Sequence, residues 1–481
     1  MKKRTVVAGS VVVVAVIYLG ATWYIGKRTQ EFTEQAVVQA NERMTGVLGS
    51  EAERSGTRLE LSSYQRGFFS SVVQYSLHMK DAEGKPAEIR FLDHVQHGPF
   101  PWGALKAGHF APLLAHNNTS LVPTPFTQAW VDSQDGASPL EGHTDVAMSG
   151  NGTSVWVFKP TKIAAKDGSQ IDFSGGRLKV DFSNNFRDSE ATGGFERFSL
   201  EGDGSGGKVE VRDIDIGSTT HVGADDNTRS QSKATIGAID VSRSGTDERF
   251  SFENVVVNLD STQEGTLADT ELRYDFGKML VGDTNLGSLA LGGRVTGLDI
   301  KALVALGNEY DAIVARHGGK QGDDIDLTPS EQKVLEAKAM DILASNPAVV
   351  IDPVIWKNDK GETTARLALD LTQPAQTEAP QPGVLVPEYV KKMQLALGVS
   401  RDMLVELFGQ MRQEASERKE LEMMGGLLYD QYVSRLQQAG LVMVDAGRAS
   451  TDIVYEGNTV TVNGETMSVQ DFLMRAMMLM M

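Results

Sequence analysis

Hydrophobic positions along this chain fall into three regimes. From Val6 to Ile25 the side chains carry no charge at all. A helix of about twenty such residues is about 30 Å long, the thickness of a bilayer's hydrocarbon core. From Thr29 to Gly46 the spacing is loosely helical, with Phe32, Ala36 and Val37 on one side of a Glu- and Gln-rich segment. This helix is expected to set the next domain off the membrane. From Arg58 the period becomes two: Leu59 and Leu61, then Val73, Tyr75 and Leu77.

The alternation continues through Leu178, Val180 and Phe182, then Val209 and Val211, Phe250 and Phe252, and Leu272, Tyr274 and Phe276. Clusters of Gly, Asn, Asp and Ser separate these runs, which predicts an antiparallel meander. Two runs change phase: Val209 and Val211 give way to Ile214 and Ile216, and Phe250 and Phe252 to Val255, Val257 and Leu259. Such a slip predicts a bulge, or a strand passing from one packed layer to another, and hence a long, bent sheet.

Leu303, Leu306, Tyr310, Ile313 and Val314 predict an amphipathic helix, and Thr328-Pro-Ser-Glu331 a second one opened by a capping box. Strands follow around Val349–Ile355 and Thr364–Leu371, then a Pro-rich linker, then a mostly helical region from about 387 to 440. Ile453 and Tyr455, Val460 and Val462, with turns at Gly457-Asn458 and Asn463-Gly464, predict terminal hairpins. A last helix begins at Ser468.

The expected class is α+β: an N-terminal transmembrane helix, then a large, mainly antiparallel bent sheet, with helices concentrated in the C-terminal third. The expected divisions are an anchor (1–28), a juxtamembrane helix (29–57), a β-rich domain (58–300), its helical and strand continuation (301–372), the linker (373–387) and a helical C-terminal region with a terminal hairpin (388–481).

Lys2, Lys3 and Arg4 precede the apolar run and Lys27 and Arg28 close it. The basic start predicts a cytoplasmic N-terminus with the bulk of the chain outside, in a periplasm. A cleaved signal peptide would place small residues where this chain has Tyr18, Trp23 and Tyr24. The expected topology is therefore a single membrane crossing through residues 6–25.

The chain carries a net charge of −18, and beyond residue 28 it holds 41 basic against 64 acidic side chains. So acidic a surface repels phosphate backbones and excludes nucleic acid as a partner. With no cysteine, there is neither disulfide nor thiolate chemistry.

No motif in the chain completes a catalytic constellation. Gly202-Asp-Gly-Ser-Gly-Gly207 with Lys208 approaches a phosphate loop, but Lys208–Val211 reads as a strand where a helix N-terminus is required. Ser330-Glu-Gln-Lys333 spells a serine–lysine pair that the capping box already explains. His78, His94, His97, His109, His116 and His143 crowd one stretch, yet His94 and His97 fall on opposite faces of a strand. No catalytic, cofactor-binding or metal residue is assigned. Twelve of the 18 methionines lie after residue 390, and Phe472–Met481 ends without a polar tail. Met adapts to irregular apolar surfaces, so a homodimer built on this region is expected.

Tyr64-x-Arg66-Gly67-x-Phe69-x-Ser71, His97-Gly98-Pro99 and Val460-Thr-Val-Asn-Gly464, in this order behind a basic, uncleaved anchor, resemble the YdgA family of proteobacterial envelope proteins. The resemblance spans nearly the whole chain. It implies an inner-membrane protein with a large periplasmic part and brings no catalytic residues. The function expected from these observations is non-catalytic: a membrane-anchored envelope protein whose β-rich domain contacts other proteins or holds a hydrophobic, lipid-like ligand. The alternative is a periplasmic hydrolase or metal-dependent enzyme using the histidine-rich region 78–143.

Overall fold

In the computed structural model the described residues are 21–22, 24–41, 55–81, 84–164, 168–202, 206–243, 249–317, 326–374, 388–410 and 415–477. The chain forms two compact units, Met1–Gly204 with Asp213–Gly223, and Ser205–Arg212 with Ala224–Met481. Residues 1–20, most of the apolar run Val6–Ile25, lie outside the described residues. Among the described residues no helix is long and apolar enough to cross a membrane.

In the first unit, period-two alternation builds an antiparallel sheet. Its strands are β1 (Arg58–Arg66), β2 (Ser70–Lys80), β3 (Pro86–His97), β4 (Leu113–Val122), β5 (Leu140–Ala147), β6 (Gly152–Phe158), β7 (Thr161–Ala164), β8 (Gln170–Phe173), β9 (Gly176–Ser183) and β10 (Asp188–Glu201). They pair in the order β1–β2–β3–β4–β5–β6–β9–β10–β8–β7. Helix α1 (24–41) lies on one face of this sheet. Its buried stripe is Ile25, Thr29 and Thr33, four residues apart, with Thr22 buried just ahead of it, and Ile25 packs with Val73, Val95, Leu114, Ala115 and Val146. The helix expected to lift the domain instead docks along it, because these small side chains let the backbone approach closely. Two short helices, α2 (Trp102–Lys106) and α3 (Gln128–Asp132), occupy the excursions around β4.

Strand β11 (Gly207–Val222) contributes to both units, dividing at Asp213, whose φ is 53°. The second unit continues with β12 (Thr228–Arg243), β13 (Arg249–Glu264), β14 (Leu267–Val281) and β15 (Thr284–Asp299), then α4 (Ile300–Arg316) and α5 (Pro329–Leu343). After them come β16 (Ala348–Asn358), β17 (Gly361–Leu371), β18 (Val390–Ser400), α6 (Arg401–Gln410) and α7 (Ala415–Gln438). Strands β19 (Met443–Asp445), β20 (Arg448–Glu456), β21 (Thr459–Val462) and β22 (Glu465–Ser468) and helix α8 (Val469–Met477) end the unit. Pairing is antiparallel in the order β12–β13–β14–β15–β16–β17–β18–β20–β21–β22.

The capping box is present as expected: Thr328 Oγ1 accepts from Glu331 N, and the Glu331 carboxylate accepts from Thr328 N. Both terminal hairpins turn through left-handed pairs, Gly457-Asn458 and Asn463-Gly464, as type I′ geometry requires. The helical region expected from about 387 begins only at Arg401. Met393, Leu395 and Leu397 alternate with period two and form β18, which pairs with β17 and so joins the strands on either side of the Pro-rich run.

Candidate functional site

The phase changes in the sequence mark the most consequential feature of the second unit. Asn254 has φ 54° between Phe252 and Val255, so β13 turns over while its register continues on both sides: Glu253 and Val255 pair with Lys278 and Phe276, and with Ala238 and Ile236. Residues three apart thereby come to share a face. The rings of Phe252 and Phe276 are 5.4 Å apart, although Phe276 stands opposite Val255. Gly277 is what permits the turn, since a β-carbon there would lie 2.9 Å from Asn254 Cβ. In β16, Asp352 and Pro353 together stand against the single residue Gly292 of β15, a bulge of one extra residue that keeps Ile351 and Val354 on one side.

Directly opposed residues in antiparallel strands share a face, so the register can be followed across the sheet. One row is Ile236–Val255–Phe276–Leu289–Trp356, and the next is Ala234–Val257–Tyr274–Leu291–Val354–Ala365–Leu397. A third is Ser232–Leu259–Leu272–Gly293–Ile351–Leu367–Leu395. The alternate positions are mixed: ion pairs such as Arg273 with Asp275 and Arg294 with Glu271 stand beside Val256, Ala290, Val350 and Ile355. One face is therefore almost continuously apolar over seven strands, about 30 Å at ~4.8 Å per strand. Of the three rows only Val255 is fully buried, and Leu259, Tyr274, Ile351 and Leu397 are exposed. A depression of about 370 Å³ opens where Val354, Ala365 and Leu397 meet Met443 and Thr451.

The first unit gathers polar chemistry on both faces of its sheet. Under α1, Ser71 Oγ and His97 Nε2 are 2.8 Å apart, both buried, and His97 Nδ1 lies 3.1 Å from the Phe68 carbonyl oxygen. Burial pushes the His97 imidazole pKa down, which keeps the ring neutral. This resembles a nucleophile and its base, but it is closed over by α1, and the ring is oriented by a backbone carbonyl. Nearby, Asp93 is buried; its carboxyl is pushed up to about 6 by desolvation, against hydrogen bonds from Thr119 and Asn117.

On the other face, His116 and Asp145 stand directly opposite each other, as do Asn118 and His143. His116 Nδ1 is 2.7 Å from Asp145 Oδ1, and His109 Nδ1 is 2.9 Å from Oδ2. Three of the six clustered histidines thus converge, on a carboxylate that period-two alternation placed beside His143. His94 shares that face and is paired with Asn118, while His97 is on the opposite one. His78 pairs with Glu60. Of the dismissed motifs, Gly207 opens β11, and Ser330 Oγ lies 3.1 Å from the capping Thr328 Oγ1.

The motif residues Tyr64, Ser71 and His97 meet in the first core, and Gly98 passes so close to the Leu113 carbonyl that no side chain fits there. The family model described as a bacterial protein of unknown function (DUF945) matches residues 1–470. The chain belongs to this family. Protein YdgA of Escherichia coli (strain K12) is 27% identical over 503 residues, covering 98% of this chain and 96% of that protein. The uncharacterized protein YihF of the same organism is 22% identical over 491 residues, 98% of each chain. An uncharacterized protein of Haemophilus influenzae is 27% identical over 153 residues, 31% of this chain and 41% of its own. No solved structure matches.

Proposed function

We propose that this DUF945 protein is a non-catalytic, membrane-anchored envelope protein whose second unit holds a hydrophobic, lipid-like ligand on the apolar face of β12–β18. The observation that carries this reading is the row Ala234–Val257–Tyr274–Leu291–Val354–Ala365–Leu397 and its neighbours, left open among the described residues. An uncovered apolar area of this extent marks a binding surface. Its ~30 Å run matches the full hydrocarbon thickness of a bilayer, so an acyl chain of half that length fits along it.

Membrane attachment through residues 6–25 is supported by the surface of the first unit. Phe68, Phe69, Phe100, Trp102 and Phe110 are all exposed, Trp102 to 67% and Phe110 to 73%. They flank one end of the sheet: the Phe69 and Phe68 carbonyls face His97 N and Nδ1, and Phe100, Trp102 and Phe110 lie in the excursion that leaves β3 at His97. Gly26 of α1 abuts that histidine, so the chain arrives from the apolar run at the same end. Exposed aromatic rings are the residues a bilayer interface selects.

The test is to extract the full-length protein in mild detergent and identify bound lipid by mass spectrometry. Lipid should copurify with the wild type and be depleted at least tenfold in Tyr274→Asp/Leu291→Asp. Equal lipid in a folded double variant would refute the reading.

A further inference from the structure

The face of the first unit that carries the clustered histidines is not needed for lipid binding, and its chemistry points elsewhere. Asp145 is largely buried, and its ionic partners among the described residues are three histidines: His116 on β4, His143 on β5 and His109 in the excursion before β4. His116 is 3% exposed, while His143 and His109 keep 40% and 56% of their side-chain surface. The cluster is thus anchored in the sheet on one side and open to solvent on the other.

We propose that Asp145, His116 and His143, with His109 as a fourth donor, form a binding site for a divalent transition-metal ion of the zinc class. Donor atoms of Asp145, His116 and His143 already lie within 4.8 Å of one another. A tetrahedral ion with bonds of about 2.0–2.1 Å needs its donors about 3.3 Å apart. The separations from Asp145 are 2.7 Å to His116 at Oδ1, and 2.9 and 3.7 Å to His109 and His143 at Oδ2; they lie on either side of that value, and side-chain rotations of about an ångström gather the donors around one ion.

Proton placement supports a cation here. His143 Nδ1 is 3.1 Å from Asn118 Oδ1, a carbonyl oxygen that accepts, so this nitrogen carries the proton. Nε2 is then the nitrogen turned toward Asp145 Oδ2, 3.7 Å away, the same oxygen that His109 Nδ1 approaches at 2.9 Å. A metal ion there would take Nε2 as a ligand, with Asn118 fixing the tautomer as an outer-shell partner does. His116 and His109 ligate through Nδ1 by moving the ring proton to Nε2, which leaves each imidazole neutral. Gly103 makes room for that side of His116: a β-carbon there would stand 2.5 Å from His116 Nε2, and Gly103 N donates to Gln96 Oε1 at 2.7 Å. Three imidazoles and one carboxylate, without a thiolate, suit zinc, copper, iron or nickel and not calcium or magnesium.

The experiment is a titration of the full-length protein in detergent with Zn²⁺, read by calorimetry and by the shift in melting temperature. One ion should bind per chain and raise the melting temperature. His143→Ala and Asp145→Asn should each weaken binding at least tenfold, and Asn118→Ala about tenfold. His94→Ala, on the same face but outside the cluster, should leave affinity unchanged. Bound Co²⁺ should give the visible absorption of a four-coordinate ion, lost in His143→Ala. If Asp145→Asn fails to fold, His143→Ala and His109→Ala, both at solvent-facing positions, carry the test. Absence of stoichiometric binding, or affinity unchanged in His143→Ala and His109→Ala, overturns the proposal. Lipid content is a separate readout, so either assignment can fail alone.

Discussion

Gly26 of α1 lies against the imidazole of His97 so closely that a β-carbon there would stand 2.6 Å from His97 Nδ1. The ring cannot move aside easily, because Ser71 Oγ and the Phe68 carbonyl hold its two nitrogens. Gly26→Ala should therefore destabilise the first unit by about 1–3 kcal/mol through overpacking. Thermal unfolding would measure it against Gly217→Ala, where nothing lies within 4 Å and the change should stay within about 0.5 kcal/mol. Equal melting temperatures for the two variants would mean that α1 does not seat on His97.

Asp93 predicts a pH dependence with a definite sign. Its carboxyl titrates near 3.8 when unfolded and at about 6 in the fold. A raised carboxyl pKa favours folding while the group is protonated; that advantage fades as pH rises from about 4 to 6 and is gone above it. Asp93→Asn, which removes the buried charge, should be more stable than the wild type at pH 7.5, by up to about 3 kcal/mol. The gap should close on acidification to about pH 4. Denaturant midpoints at the two pH values give the answer, and a variant less stable at pH 7.5 would contradict it.

Helix α7 leaves Met423, Met424 and Leu427 exposed, within four positions of one another and so on one side of the helix. We expect this face to meet its copy on a second chain, since membrane tethering raises the local concentration of copies. Met423→Asp/Leu427→Asp should convert the detergent-solubilised protein from dimer to monomer on light scattering, with little change in melting temperature. A wild type that is already monomeric would rule out the contact.

Much of this architecture was legible in residue order. Period-two alternation located most of the long strands, the Asn-Gly pair and the capping box located their turn and helix, and the slip at Phe252–Val255 located the point where β13 turns over. Two things were not legible for physical reasons. Strand β18 was hidden by the helical periodicity that follows it, since Met393, Leu395 and Leu397 are too short a run to outweigh the segment to 438. The histidine cluster depended on register: His116 and Asp145 are 29 residues apart, and only the pairing of β4 with β5 sets them side by side. His143 and Asp145, two apart on one strand, were the available signal. The docking of α1 was concealed by the threonines buried along it, which do not register as an apolar face.

The central claim is that one face of β12–β18 holds a hydrophobic ligand, and adjacent positions of a single strand test it most directly. Leu291 belongs to the apolar row, whereas Ala290, its neighbour on β15, pairs with Asp275 and Ile355 on the opposite side. A photoreactive phenylalanine analogue placed at each position in turn, irradiated in cells and analysed by mass spectrometry, should capture lipid at 291 and not at 290. Equal capture at both positions, or capture at 290 alone, would contradict the account.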